Sequence, residues 1–103
     1  MSQASVSKVL FKKVAFIGLG LIGSSLARVI VAEQLASEIV ASTRSKKTLE
    51  DAKALGLIQH GYTNPEEAVQ GTDLIVLALP VRATQKVLEQ IKPYLAENVI
   101  IPD

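Results

Sequence analysis

Cysteine is absent from this 103-residue chain. That excludes a disulfide framework, a thiolate metal site and covalent catalysis through sulfur, and it suits a reducing, cytoplasmic setting. Charge of one sign is also lacking. The formal net charge is +1, so no broad field draws the chain to nucleic acid or to an anionic membrane. Recognition of an anion has to come from a local site. Aromatic residues are 4% of the chain, too few for the stacking platforms that hold single-stranded nucleic acid. An uninterrupted membrane span is missing as well. Three glycines break the apolar run from Val14 to Leu26, and Arg28 follows within the same helical pattern. Lys8, Lys12 and Lys13 ahead of that run imitate an export signal, but no small-x-small cleavage site with a mature domain behind it stands out.

What is present is enough apolar sequence for one core. Apolar residues are 49% of the chain, and a chain of this length buries roughly two-thirds of its unfolded surface without covalent staples. Residues 1–12 read as a loose leader, polar and small from Met1 to Ser7, and residues 13–103 as a single domain. Lys13 to Gly18 is a short run rich in Val, Phe and Ile, the mark of a buried strand. Leu21 to Gln34 carries Ile22, Leu26, Val29 and Ile30 on one helical face. Glu38 to Thr43 is a second strand. Ser45 caps a helix running to about Leu55, with Gly56 in the left-handed position behind it. Asn64-Pro65-Glu66-Glu67 starts a short helix that Gly71 ends.

The unbroken run from Leu74 to Leu79 reads as a strand covered on both faces, which is the habit of parallel sheets. Pro80 ends it. Val81, Thr84, Val87, Leu88, Ile91 and Leu95 then form another helical face, disturbed at Pro93, and Val99 to Ile101 is a last strand. Strands alternating with helices give an α/β fold: a doubly wound parallel sheet in three αβα layers, of the Rossmann type.

Gly18-Leu19-Gly20-Leu21-Ile22-Gly23 lies between a strand and a helix, the context in which G-x-G-x-x-G binds a dinucleotide. Gly18 allows the turn off the strand, Gly20 lets the pyrophosphate approach the backbone, and Gly23 lets the helix sit close to the strand. The N–H groups around Leu21 and Ile22 have no partner within the helix and can face phosphate oxygens. Close helix packing alone would also explain the glycines.

The residue that selects the cofactor is expected about 20 positions further on. Ser42-Thr43-Arg44-Ser45-Lys46-Lys47 stands there, with no Asp or Glu to hold a ribose 2′-hydroxyl. Thr43, Arg44 and Ser45 suit a 2′-phosphate instead, which points to NADP over NAD. An ordinary solvated helix start is the alternative. Leu79, Pro80 and Val81, beyond the carboxyl end of a strand, are candidates for the nicotinamide side. His60, beside Gly61 in a turn-like segment, reads as a surface or satisfied loop histidine, and Asp73 as the residue that leads into a strand. No metal site is expected.

The stretch from Val14 to Ala27, with Ala54-Leu55-Gly56, Thr72-Asp73-Leu74-Ile75 and Leu79-Pro80-Val81, resembles the prephenate and arogenate dehydrogenases of tyrosine biosynthesis. The resemblance runs from about Lys13 to the C-terminus. It implies oxidative decarboxylation by hydride transfer to NAD(P), with cofactor roles for Gly18, Gly20, Gly23, Thr43, Arg44 and Leu79 to Val81. It also implies a following helical domain that binds substrate, carries a catalytic histidine and makes a homodimer. The chain departs from the family at Pro102, where threonine is expected, and has no counterpart of that histidine. The expectation is a domain that binds NADP and does not turn over alone. A free-standing nucleotide-binding sensor or regulatory module is a second reading. A β-hydroxyacid or pyrroline-carboxylate type dehydrogenase is a third.

Overall fold

The computed structural model describes residues 9–102, and the side chains of Leu21 and Ile22 are not described. Of the expected leader, residues 1–8 lie outside the described residues, and Phe11 and Lys12 belong to the first strand. The elements are β1 (Phe11–Ile17), α1 (Leu21–Ala32), β2 (Ala36–Ser42), α2 (Lys46–Ala54), β3 (His60–Tyr62), α3 (Pro65–Ala68), β4 (Leu74–Leu77) and α4 (Val81–Ile91). A 3-10 turn, Lys92–Tyr94, follows. The four strands form one sheet in the order β3-β2-β1-β4, and every ladder is parallel. This is the expected doubly wound α/β fold.

The central strand shows why the sheet is covered twice. Val14, Ala15, Phe16 and Ile17 are all buried. Successive side chains of a strand point to opposite faces, so Val14 and Phe16 enter one core while Ala15 and Ile17 enter another. The first core includes Ala27 and Ile30 of α1 and Leu49 and Ala52 of α2. The second includes Ala68 of α3 and Ile91 of α4, with Val87 and Leu88 packed against it. Two helices therefore cover each face.

The buried stripe of α1 differs from the one its apolar residues suggest. Leu26 and Val29 are exposed, whereas Gly23, Ala27 and Ile30 face the sheet. Small residues won this face because the helix runs close to its neighbours. A Cβ on Gly23 would stand 3.1 Å from Cβ of Ala78 and 3.4 Å from the Gly18 carbonyl oxygen.

Other boundaries moved: β2 begins at Ala36, two residues ahead of Glu38, and β4 ends at Leu77, two residues short of Leu79. β1 begins at Phe11, two residues ahead of the expected start, because the Leu10 and Phe11 N–H groups donate to the Leu35 carbonyl. The segment at His60 is an edge strand, not a turn, pairing Val40 with His60 and Ser42 with Tyr62. Gly61 is needed there because a Cβ would lie 3.0 Å from Cβ and Cδ2 of Leu49, which packs on the strand backbone. The last expected strand contracts to one parallel bridge between Ile100 and Leu74, made by two backbone bonds of 2.8 and 2.9 Å.

Capping follows the sequence closely. Ser45 Oγ accepts the Thr48 N–H at 3.1 Å, and Asn64 Oδ1 accepts the Glu67 N–H at 3.0 Å. Gly56 has φ +76, as a left-handed cap requires. Asp73 sets the register at the start of β4: its Oδ2 accepts the Lys12 N–H at 2.7 Å. Among the described residues, no helix is long and apolar enough to cross a membrane.

Candidate functional site

The chain passes from β1 through α1 to β2 on one side, then from β3 through α3 to β4 on the other side of β1. The order reverses between β1 and β4, and in open parallel sheets the crevice at that reversal, beyond the carboxyl ends of the strands, is where ligands bind. A cleft of about 520 Å³ lies there. Its walls come from Ile17 and Gly18 at the end of β1, Ser42 to Arg44 at the end of β2, Thr63 to Pro65 after β3, Leu79 after β4, and Ala83, Val87 and Gln90 on α4.

The three glycines of the loop have three different environments. Gly18 has φ +83, and a Cβ there would lie 2.5 Å from the Ala78 carbonyl oxygen and 2.9 Å from Cδ2 of Leu79. It is a junction residue: its N–H donates to the Ser42 carbonyl at 2.7 Å, while the Ala78 N–H donates to Ile17 at 2.9 Å. Gly23 serves close contact between α1 and Ala78, as described above. Gly20 is different. It is exposed, and a Cβ placed on it would meet nothing within 4 Å. Gly20 is also the N-cap of α1 and makes no side-chain cap bond. The first N–H groups of a helix, here from Leu21 onward, have no partner within it. Bare backbone, open space and uncapped N–H groups thus coincide at Gly20, as a diphosphate requires.

Beyond β2, the hydroxyls are committed as acceptors and keep their protons available. Thr43 Oγ1 accepts the Ser45 N–H at 3.1 Å, and Ser45 Oγ accepts from Thr48. A hydroxyl engaged in this way can still donate outward. Arg44 lines the cleft, is exposed, and makes no hydrogen bond or ion pair among the described residues. The first turn of α2 holds no acidic residue. Lys47 is paired with Asp51 at 3.3 Å, both well exposed. Positive charge at a helix N-terminus is unfavourable in isolation, and a bound anion would offset it.

Of the positions singled out from sequence, Gly18, Thr43, Arg44 and Leu79 line the cleft; Gly20, Leu21, Ile22 and Gly23 do not line it and form the N-cap and first turn of α1, which follows Gly18 in the chain. Ser45 caps α2 at its rim. Pro80 and Val81 do not line it. Pro80 is the N-cap of α4, where its carbonyl accepts the Thr84 N–H at 3.0 Å, and Val81 is 88% exposed. His60 stands on the β3 edge, 4.0 Å from Glu38, and takes no part in the cleft wall. The wall residues missing from the sequence reading are Ile17, Ser42, Thr63, Asn64, Pro65, Ala83, Val87 and Gln90. Asn64 and Pro65 were legible only as a helix start, and Val87 only as part of an apolar face.

Comparison with known proteins agrees with this geometry. The chain is 39% identical over 93 residues to a cyclohexadienyl dehydrogenase of Zymomonas mobilis, covering 90% of this chain and 32% of the relative. It is 36% identical to a prephenate dehydrogenase of Lactococcus lactis, covering 89% and 26%. The chain therefore spans about a third or less of these relatives' length. Among solved structures, Synechocystis arogenate dehydrogenase superposes with a TM-score of 0.76 at 27% identity, over 86% of this chain and 31% of that one. The prephenate dehydrogenase of A. aeolicus shares the fold with a TM-score of 0.79 at 22% identity, over 87% and 32%. The family described as NADP oxidoreductase, coenzyme F420-dependent, matches residues 13–102. With sheet order, glycine loop and cleft in accord, the chain belongs to this oxidoreductase family and has the fold of a nicotinamide-dinucleotide-binding domain.

Proposed function

We propose that the chain is the NADP-binding domain of a prephenate or arogenate dehydrogenase acting in tyrosine biosynthesis. The observation that carries this reading is the conjunction at Gly20 of open space, bare backbone and an uncapped helix start, two residues beyond Gly18, which lines the cleft at the sheet's reversal point. The relatives from Z. mobilis and L. lactis supply the substrate class, cyclohexadienyl compounds and prephenate. Bound in the cleft, the nicotinamide would accept the hydride released as the substrate loses CO₂.

The residues of this chain bind and orient. The backbone from Gly20 to Ile22 would hold the pyrophosphate. Arg44, with the outward hydroxyls of Thr43 and Ser45, would hold the 2′-phosphate. The A. aeolicus structure contains NAD+ and a Helicobacter pylori neighbour, CAD, contains NADP(H), so the choice of cofactor rests on this chain's own residues. A charge-assisted bond from Arg44 favours NADPH over NADH by about ten- to a hundredfold. His60, the single histidine, is outside the cleft wall, so no histidine stands ready for acid–base work. The 103-residue chain is expected to bind without turnover.

Paired titration with NADPH and NADH, beside an assay on prephenate and arogenate, tests this. NADPH should bind more tightly, Arg44→Ala should erase the difference, and neither substrate should be consumed. Equal affinities, or an Arg44→Ala variant that binds NADPH unchanged, would remove the NADP assignment.

A further inference from the structure

The far wall of the cleft holds a pair of side chains that cofactor binding, as described so far, leaves unused. Gln90 in the last turn of α4 lines the cleft, and its Nε2 donates to Oε2 of Glu66 in α3 at 2.8 Å. The other carboxylate oxygen, Oε1 of Glu66, is buried and has no hydrogen-bond partner among the described residues. A carboxylate accepts and does not donate, whereas a primary amide offers both a donor and an acceptor. Glu66 therefore takes the N–H side of the Gln90 amide and determines which side is left over. Turning the amide would set its carbonyl oxygen against a carboxylate already short of donors, replacing a charge-assisted bond with repulsion. The Gln90 Oε1 atom makes no bond among the described residues. Gln90 thus brings to the cleft wall an amide whose N–H side is engaged and whose carbonyl oxygen is left to accept.

The location of that acceptor says what it can read. With the pyrophosphate at the glycine loop and the adenosine ribose at the end of β2, the base would fall between Arg44, the segment 63–65 and the α4 face, which line the cleft. Ala83 and Val87 are apolar there, and Asn64 Oδ1 is committed to the cap of α3. We propose, resting on the cofactor reading above, that Gln90 is a specificity-determining acceptor for the exocyclic amino group of adenine, selecting it over a keto oxygen at the same position. Glu66 is a positioning residue that acts through Gln90.

Equilibrium binding of NADPH and of its hypoxanthine counterpart, in which the amino group is a keto oxygen, tests this directly. Both carry the same phosphates, so contacts at Gly20 and Arg44 cancel in the ratio. The parent chain should prefer the adenine form by about tenfold, one well-placed hydrogen bond's worth. Gln90→Met should bring the ratio near one. Glu66→Gln should do the same, because an amide partner no longer dictates which way Gln90 faces. Gln90 is exposed, so Gln90→Met is expected to fold, and it decides the matter alone if Glu66→Gln does not. Tight NADPH binding with no base preference overturns this inference and leaves the cofactor reading standing. A preference that survives Gln90→Met also overturns it. Binding of neither dinucleotide overturns both.

Discussion

Alanine at Gly18 should damage the fold, whereas alanine at Gly20 should leave it intact, although both glycines belong to one loop. At Gly18 the backbone sits at φ +83, and the new Cβ would lie 2.5 Å from a carbonyl oxygen and 2.9 Å from a leucine methyl. The leucine methyl can turn aside, but the carbonyl cannot easily retreat, because Gly18 is bonded to Ser42 and Ala78 to Ile17, which joins the ends of β1, β2 and β4. The left-handed backbone costs about 1–2 kcal/mol for a residue with a Cβ, and forced repacking about 1–3 kcal/mol. The sum is about 2–5 kcal/mol, which for a domain of this size lowers Tm by about 10 °C or more. At Gly20 the same carbon meets nothing within 4 Å, so no neighbour has to give and stability should stay within about 0.5 kcal/mol of the parent. Thermal unfolding of both variants without cofactor, followed by circular dichroism, reads the difference. Equal melting temperatures for the two variants would refute the reasoning.

Three further outcomes follow from the same geometry. Phe16→Ala empties a fully buried position in the central strand and should cost about 3–5 kcal/mol, measured by urea unfolding. Ser45→Ala removes the bond to the Thr48 N–H and should cost about 1 kcal/mol in the same assay. Lys47→Ala breaks only an exposed ion pair with Asp51 and should shift stability by no more than about 0.5 kcal/mol, with no sensitivity to salt beyond that.

The layers of the fold were legible because parallel strands covered on both faces leave unbroken apolar runs, as at Leu74 to Leu79, of which Leu74 to Leu77 is strand, and because the caps at Ser45 and Asn64 are local chemistry. What was hidden depends on long-range contact. Nothing in His60-Gly61-Tyr62 announces a strand: its three residues gain their identity from pairing with β2 and from Leu49 pressing on Gly61. That omission also hid Thr63 as a wall of the cleft. On α1, apolar count favoured Leu26 and Val29, but closeness to Ala78 gave the face to Gly23 and Ala27. Periodicity finds a stripe, and close approach of backbones decides which stripe. The glycine loop, Arg44 and Leu79 were readable because their spacing reflects tasks done by neighbouring residues. Gln90 was not, since its partner Glu66 lies 24 positions away on another helix.

Calorimetric titration of NADPH into the parent chain and into Gly20→Ala is the most direct measurement. A pyrophosphate seated against the bare backbone at the start of α1 predicts a variant that melts with the parent and binds about ten- to a hundredfold more weakly. A variant that melts with the parent and binds NADPH with the parent's affinity would place the cofactor elsewhere.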